Sequence, residues 1–175
     1  HHSGVNHLSF TGSTEVGALV QQAAAKNAVP ATLELGGKSP QVVFADADLE
    51  KALPFLVNAS IQNCGQTCSA ASRVLVESSI YEKLTARLAE KFKELRVGPA
   101  FRDLNCGPLI SPEQKQRLEQ YLDQARADGL NFSAEGKIIE NAPAGGNYVK
   151  PMLIRDVPPD HAVAQEELFG PVLAV

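Results

Sequence analysis

Two short segments of this 175-residue chain carry residue types that can do covalent chemistry. In Asn63-Cys64-Gly65-Gln66-Thr67-Cys68-Ser69, a cysteine stands among small and polar neighbours just after a helical stretch. The thiolate is the reactive form of cysteine, so a working nucleophile needs exposure and a local positive potential. Cys68 has room around it for a substrate, whereas structural cysteines favour apolar neighbours; the local residues leave both readings open. The second segment, Leu33-Glu34-Leu35-Gly36-Gly37-Lys38-Ser39-Pro40, sets one carboxylate in an apolar strand. Alternation along a strand turns Glu34 away from both leucines. Buried, such a carboxylate has a raised pKa and works as a general base; a salt bridge to Lys38 is the other reading.

Gly12-Ser13-Thr14-Glu15-Val16-Gly17 lies between a strand and a helix. Its spacing is not that of the Gly-x-Gly-x-x-Gly dinucleotide fingerprint. Even so, the unpaired amides of a helix start suit an anion such as a pyrophosphate. Cys64 and Cys68 are four apart without a second Cys or His pair nearby, so no metal set is expected. Cys64 is expected to pack inward at a helix end, and Cys106 to be a loop residue without a partner.

The elements that must position these groups follow from periodicity and punctuation. Strands are expected at Val5 to Phe10, Ala31 to Leu35, Gln41 to Phe44 and Arg73 to Glu77. Helices are expected from Glu15 to Lys26, capped by Ser13 or Thr14, and from Asp46-Ala47-Asp48 to about Asn63, bent at Pro54. A long amphipathic helix capped by Ser79 carries Leu84, Leu88 and Phe92 on one face. Another opens with Ser111-Pro112-Glu113 and stops at Gly129. Short strands and loops fill the rest, with a turn at Pro143-Ala144-Gly145-Gly146. Strands alternating with helices imply an α/β architecture with a largely parallel sheet.

Composition narrows the classes. The 44% hydrophobic and 21% charged content is that of a globular domain, and a formal charge of −4 leaves no basic footprint for nucleic acid. No apolar run reaches the ~18 residues of a membrane span. The start, with His1 and His2, lacks the layout of a signal peptide, and the two histidines are read as native or tag-derived. Three cysteines make no disulfide framework, which points to the cytoplasm. Both ends fall in strand-like segments, so the chain is read as a piece of a longer protein.

With Phe10-Thr11-Gly12-Ser13-Thr14-Glu15-Val16-Gly17, Leu33 to Pro40, Asn63 to Ala70 and Glu166-Glu167-Leu168-Phe169-Gly170-Pro171-Val172 in this order, the sequence resembles the aldehyde dehydrogenase superfamily along nearly all its length. The resemblance implies a three-layer α/β sandwich with a largely parallel sheet. It implies a cofactor-domain remnant over residues 1–36 and a truncated catalytic domain over 37–175. Cys68 matches the nucleophile that forms a thiohemiacetal and then a thioester, and Glu34 the base that activates water to hydrolyse it. The cofactor, NAD or NADP, matches Gly12, Ser13, Thr14, Glu15, Val16 and Gly17 at its pyrophosphate. Leu35, Gly36 and Phe169 match the nicotinamide site, and Glu167 the ribose. The implied substrate is a small-molecule aldehyde, and the implied parent a dimer or tetramer. A CoA-acylating relative would not need Glu34, and a structural protein reusing the fold would need neither Glu34 nor Cys68. The isolated piece is expected to be inactive.

Overall fold

Alternating apolar positions become strands and three-to-four spaced ones become helices, arranged in two compact units, His1–Gly37 and Lys38–Val175. The computed structural model describes His2 and residues 4–175, so the reading of the first two histidines lies partly outside the described residues.

The first unit is a β–α–β element. β1 (Leu8–Gly12) and β2 (Ala31–Leu35) pair in parallel, with Leu8 opposite Ala31 and Gly12 opposite Leu35. The first strand therefore starts three residues later than expected and runs to the turn glycine. α1 (Thr14–Lys26) connects them, its extended Ser13 accepting a hydrogen bond from the Val16 amide at 3.3 Å. That cap is worth about 1 kcal/mol. Gly17 is buried because a Cβ there would stand 2.6 Å from the Leu35 side chain.

The second unit holds β3 (Pro40–Val43), α2 (Leu49–Ile61), β4 (Arg73–Val76), α3 (Tyr81–Glu94), β5 (Arg96–Val97), α4 (Pro112–Ala127), β6 (Asn131–Glu135), β7 (Lys137–Ile138), β8 (Met152–Arg155), α5 (Ala162–Gln165) and β9 (Val172–Ala174). Five of these strands form one sheet in the order β3-β4-β9-β8-β6, parallel except for the β6–β8 pair; β5 and β7 make a short parallel pair of their own. Alternation along β8 separates the two helix layers. Arg155 pairs with Glu82 of α3 at 2.9 Å, while Met152, on the other side of the pleat, meets Arg126 of α4. Helices thus cover both faces there, giving three layers.

The core follows the predicted stripes. Leu84, Leu88 and Phe92 of α3 are fully enclosed, as are Leu118 and Ala125 of α4 and Leu153, Ile154, Val172 and Leu173 of the sheet. Burying each of the larger of these side chains contributes about 1.5–3 kcal/mol. Ser111 caps α4 through the Gln114 amide, and left-handed Gly129 follows its end.

Other local expectations are corrected. Ser79 does not cap α3: its hydroxyl donates to Glu77, and a 3₁₀ turn over Ser78–Ile80 leads into the helix. α2 ends at Ile61 rather than near Asn63, because a tight turn over Gln62–Gly65 replaces its last residues. Asn63, Cys64 and Gly65 all carry positive φ, which α-helical hydrogen bonding cannot accommodate.

Candidate active site

The turn after α2 presents Cys68. Three successive left-handed residues reverse the chain, and side chains then hold it. The Asn63 amide donates to the Gln66 carbonyl at 3.2 Å, the Gln66 amide returns to the Asn63 carbonyl at 3.1 Å, and Gln66 Oε1 accepts from the Ile110 amide at 2.8 Å. Non-glycine residues in this region cost of order 1 kcal/mol each, a strain found at sites where geometry matters more than stability. From this braced turn Cys68 and Ser69 emerge exposed, while Ala70 returns to the core.

The other two cysteines lie inside. Cys64 is 2% exposed and Cys106 3%. Contrary to expectation, Cys106 has a partner: its thiol donates to the Ile61 carbonyl at 3.9 Å, and its nearness together with burial pushes the Cys64 thiol above the ordinary range. A protonated, enclosed Cys64 is a poor nucleophile. Cys68 alone of the three is accessible.

The Glu166–Pro171 loop packs beside this turn. A Cβ on Gly65 would lie 2.1 Å from the Gly170 carbonyl oxygen, so the two loops meet backbone to backbone, and only glycine allows both that approach and a φ of +73°. Gln114 of α4 clamps the second loop by donating to the Leu168 and Phe169 carbonyls at 3.0 and 2.9 Å. Arg117 donates to the Glu167 carbonyl at 3.2 Å, and Tyr121 bonds the Glu166 carboxylate. Phe169 itself is left-handed and half-buried. Loops that enter β4 and β9, neighbouring parallel strands, necessarily share one edge of the sheet. Cys68, Glu167 and Phe169 are thereby gathered at that edge.

In the first unit, the register of β1 against β2 sets Gly12 level with Leu35, so the Gly12–Gly17 turn and the Leu35-Gly36 segment share an edge as well. Ser13 takes up the Val16 amide with its hydroxyl and the Gly17 amide with its carbonyl. The Thr14 and Glu15 amides at the helix start remain the ones able to meet an anion. Gly17 serves packing against Leu35. Glu34 is exposed, with Leu33 and Leu35 half-buried on the opposite side of the strand: the expected alternation holds, but the burial expected of a general base does not.

Sequence reasoning missed one group. Lys38, weighed only as an ion-pair partner for Glu34, is 7% exposed, and its ammonium has no hydrogen-bond partner among the described residues. Burial, aided by the Arg73 guanidinium, lowers its pKa to about 8, and Glu167 acts in the opposite direction. Leaving such a group unsatisfied costs about 1–3 kcal/mol. Its position two residues ahead of a strand after a double glycine was the available signal.

A cleft of about 390 Å³ lined by Tyr121, Gln124, Asp128, Pro158, Asp160, His161 and Ala162 includes none of Glu34, Lys38, Cys68, Glu167 and Phe169. Its His161–Asp128 pair, at 3.1 Å, ties the end of α4 to the start of α5 and needs no ligand to explain it. Among the described residues no group of three or more His, Cys, Asp or Glu is placed to hold a metal ion. No helix among them is long and apolar enough to cross a membrane.

Comparison with known proteins gives the family. The model of the aldehyde dehydrogenase family matches residues 1–175. The α-ketoglutaric semialdehyde dehydrogenase of Bacillus subtilis (strain 168) is 37% identical over 99% of this chain. Among solved structures, a Burkholderia cenocepacia protein given the provisional name of an aldehyde dehydrogenase is 60% identical with a TM-score of 0.97. The betaine aldehyde dehydrogenase of Staphylococcus aureus, solved with NAD+, is 38% identical with a TM-score of 0.91; both structures match over 99% of this chain. Structures of that enzyme are recorded with one cysteine either free or BME-modified. The chain spans 36% of the Bacillus and Burkholderia proteins and 35% of the Staphylococcus one.

Proposed function

The chain belongs to the aldehyde dehydrogenase family, and from that membership we propose that it is the part of an NAD(P)-dependent dehydrogenase that carries the nucleophile Cys68 and the base Glu34. The observation that supports this most is the contrast among the cysteines: Cys68 is exposed on a braced, strained turn, while Cys64 and Cys106 are enclosed.

In this reading the Cys68 sulfur attacks the aldehyde carbon and forms a thiohemiacetal, the carbonyl oxygen taking up the negative charge. The nicotinamide, when bound, supplies the two-electron acceptor for the carbon–hydrogen bond, which leaves an acyl thioester on Cys68. Glu34 takes a proton from water as its oxygen adds to the thioester carbon. Collapse breaks the carbon–sulfur bond, releasing the carboxylic acid and returning the thiol. Gln66 and Asn63 keep the sulfur in place through both steps, because the turn that carries it is tied at each end.

The residues present suit the cofactor. Thr14 and Glu15 amides at the start of α1 offer donors to a pyrophosphate, with Ser13 as the cap. Glu167 keeps an enclosed, unsatisfied carboxylate oxygen beside a cationic cluster, a carboxyl group suited to ribose hydroxyls. Phe169 and the Leu35-Gly36 segment line the nicotinamide end in this proposal. We assign residues 1–36 to the cofactor domain and 37–175 to the catalytic domain.

The full-length protein tests the assignment. Cys68→Ala is expected to abolish NAD(P)H formation from an aldehyde. Glu34→Gln is expected to keep the pre-steady-state burst of NAD(P)H and lose steady turnover, because the base acts on water. Full activity in Cys68→Ala would overturn the reading.

A further inference from the structure

β3, β4 and β9 run parallel, with Pro40 level with Arg73 and Arg73 level with Ala174, so residues just ahead of these strands share one edge. Lys38 stands two residues before β3, Arg73 opens β4, and Glu167 lies on the loop that enters β9. The Arg73 guanidinium also donates to the Ala164 carbonyl of α5 at 3.3 Å, which holds it against that loop. Lys38 Nζ, Arg73 Nε and Glu167 Oε1 are all enclosed, and none has a hydrogen-bond partner among the described residues. Three of the four enclosed, unpartnered side-chain atoms among the described residues therefore belong to one cluster of two cations and a carboxylate. The fourth belongs to Arg155, which is bound to Glu82 through its other nitrogen.

A structural ion pair would close until ammonium and carboxylate touched, since contact and satisfied hydrogen bonds are what offset burial. Here the charges are near enough to act on one another and still stand apart. The neighbouring charged groups are committed elsewhere: Glu166 of this loop to Tyr121, and Arg117 of α4 to the Glu167 backbone carbonyl.

We propose that Lys38 is a positioning residue for cofactor binding: enclosed beside Arg73, its ammonium draws Oε1 of the Glu167 carboxylate inward and so orients Oε2 to accept from the hydroxyls of the nicotinamide ribose. This rests on the dehydrogenase reading. The ammonium itself deprotonates near pH 8, so its support is present below that value and is withdrawn above it.

The test is a titration of the full-length protein with NAD+ by calorimetry from pH 6.5 to 9.5, on wild type, Lys38→Met, Lys38→Arg and Glu167→Gln. Wild-type affinity is expected to fall as pH rises through about 8. Lys38→Met is expected to bind about tenfold more weakly at pH 7, the loss of one charge-assisted interaction, and to show no step near pH 8. Lys38→Arg is expected to keep neutral-pH affinity and also lose the step, since guanidinium does not titrate there. Lys38→Met combined with Glu167→Gln is expected to be no weaker than Glu167→Gln alone. If Lys38→Met fails to fold, the wild-type and Lys38→Arg profiles decide. Wild-type affinity flat with pH, or Lys38→Met binding like wild type while Glu167→Gln is weakened, would overturn the proposal. Unchanged binding in Glu167→Gln would overturn instead the assignment of Glu167 to the ribose.

Discussion

Accessibility separates the three cysteines more sharply than their sequence neighbours do. Cys64 is held protonated by its Cys106 contact and by burial, while Cys68 stands exposed four residues on. Brief iodoacetamide treatment is therefore expected to alkylate Cys68 first, with Cys64 and Cys106 reacting only as the fold opens. Peptide mass spectrometry reads this out, and early labelling of Cys64 would move the nucleophile assignment. Lys38 gives a second expectation. Its pKa near 8 lies below the ordinary 10.5, so between these values the unfolded chain holds a proton that the native chain does not. Stability contributed by this group rises with pH across that window, and the burden of the buried ammonium is complete below about pH 8. Lys38→Met is expected to stabilise the chain at pH 7 by on the order of 1 kcal/mol and to flatten this part of its pH dependence. Thermal melts at several pH values test it; a variant that melts lower than wild type at pH 7 would mean that the side chain holds the fold together instead.

The tight turn between α2 and β4 depends on one residue without a side chain. Gly65 needs a left-handed φ, and it also meets the Gly170 carbonyl where any Cβ would stand at 2.1 Å. Gly65→Ala must therefore shift the backbone of one loop or the other. We expect a loss of about 2 kcal/mol or more in denaturant unfolding, well above the usual Gly-to-Ala effect. In the full-length enzyme the same variant should lose turnover, because Cys68 rides on the displaced turn. Near-wild-type stability would show that the loops separate easily. Ser111, by contrast, only caps a helix, and Ser111→Ala should cost about 1 kcal/mol without touching the Cys68 turn. Comparing the two variants separates damage to an element from damage to the site.

The sheet of the second unit has one face without cover at its β3–β4 side. Val42 is 57% exposed, Leu75 53% and Phe44 64%, and Val42 stands level with Leu75 across the pair. A contiguous apolar strip on a sheet edge favours association with another copy. Sedimentation velocity on the 175-residue chain is expected to show self-association that Phe44→Ser with Leu75→Ser reduces. A monomer at all concentrations would remove this expectation. The same chain is expected to oxidise no aldehyde, since a cofactor held by few of its contacts must meet the whole entropic cost of binding with them.

What the sequence determined by itself is largely local. The Ser13 and Ser111 caps, the α3 stripe of Leu84, Leu88 and Phe92, the β2 limits and the inward Cys64 were legible because each depends on near neighbours and a short period. The ordered motifs around Gly12, Glu34, Cys68 and Glu167 indicated the family for a related reason: glycines and small residues at close backbone approaches leave few substitutes. Where Ser79 turned out to serve Glu77, two local partners of similar strength competed, and sequence does not rank them. The Cys64–Cys106 contact and the Lys38, Arg73 and Glu167 cluster were decided only by the tertiary structure. The cluster residues lie tens of positions apart and come near one another because parallel pairing sets β3, β4 and β9 in register, and a lysine ahead of a strand does not reveal whether its ammonium will be left in water or enclosed.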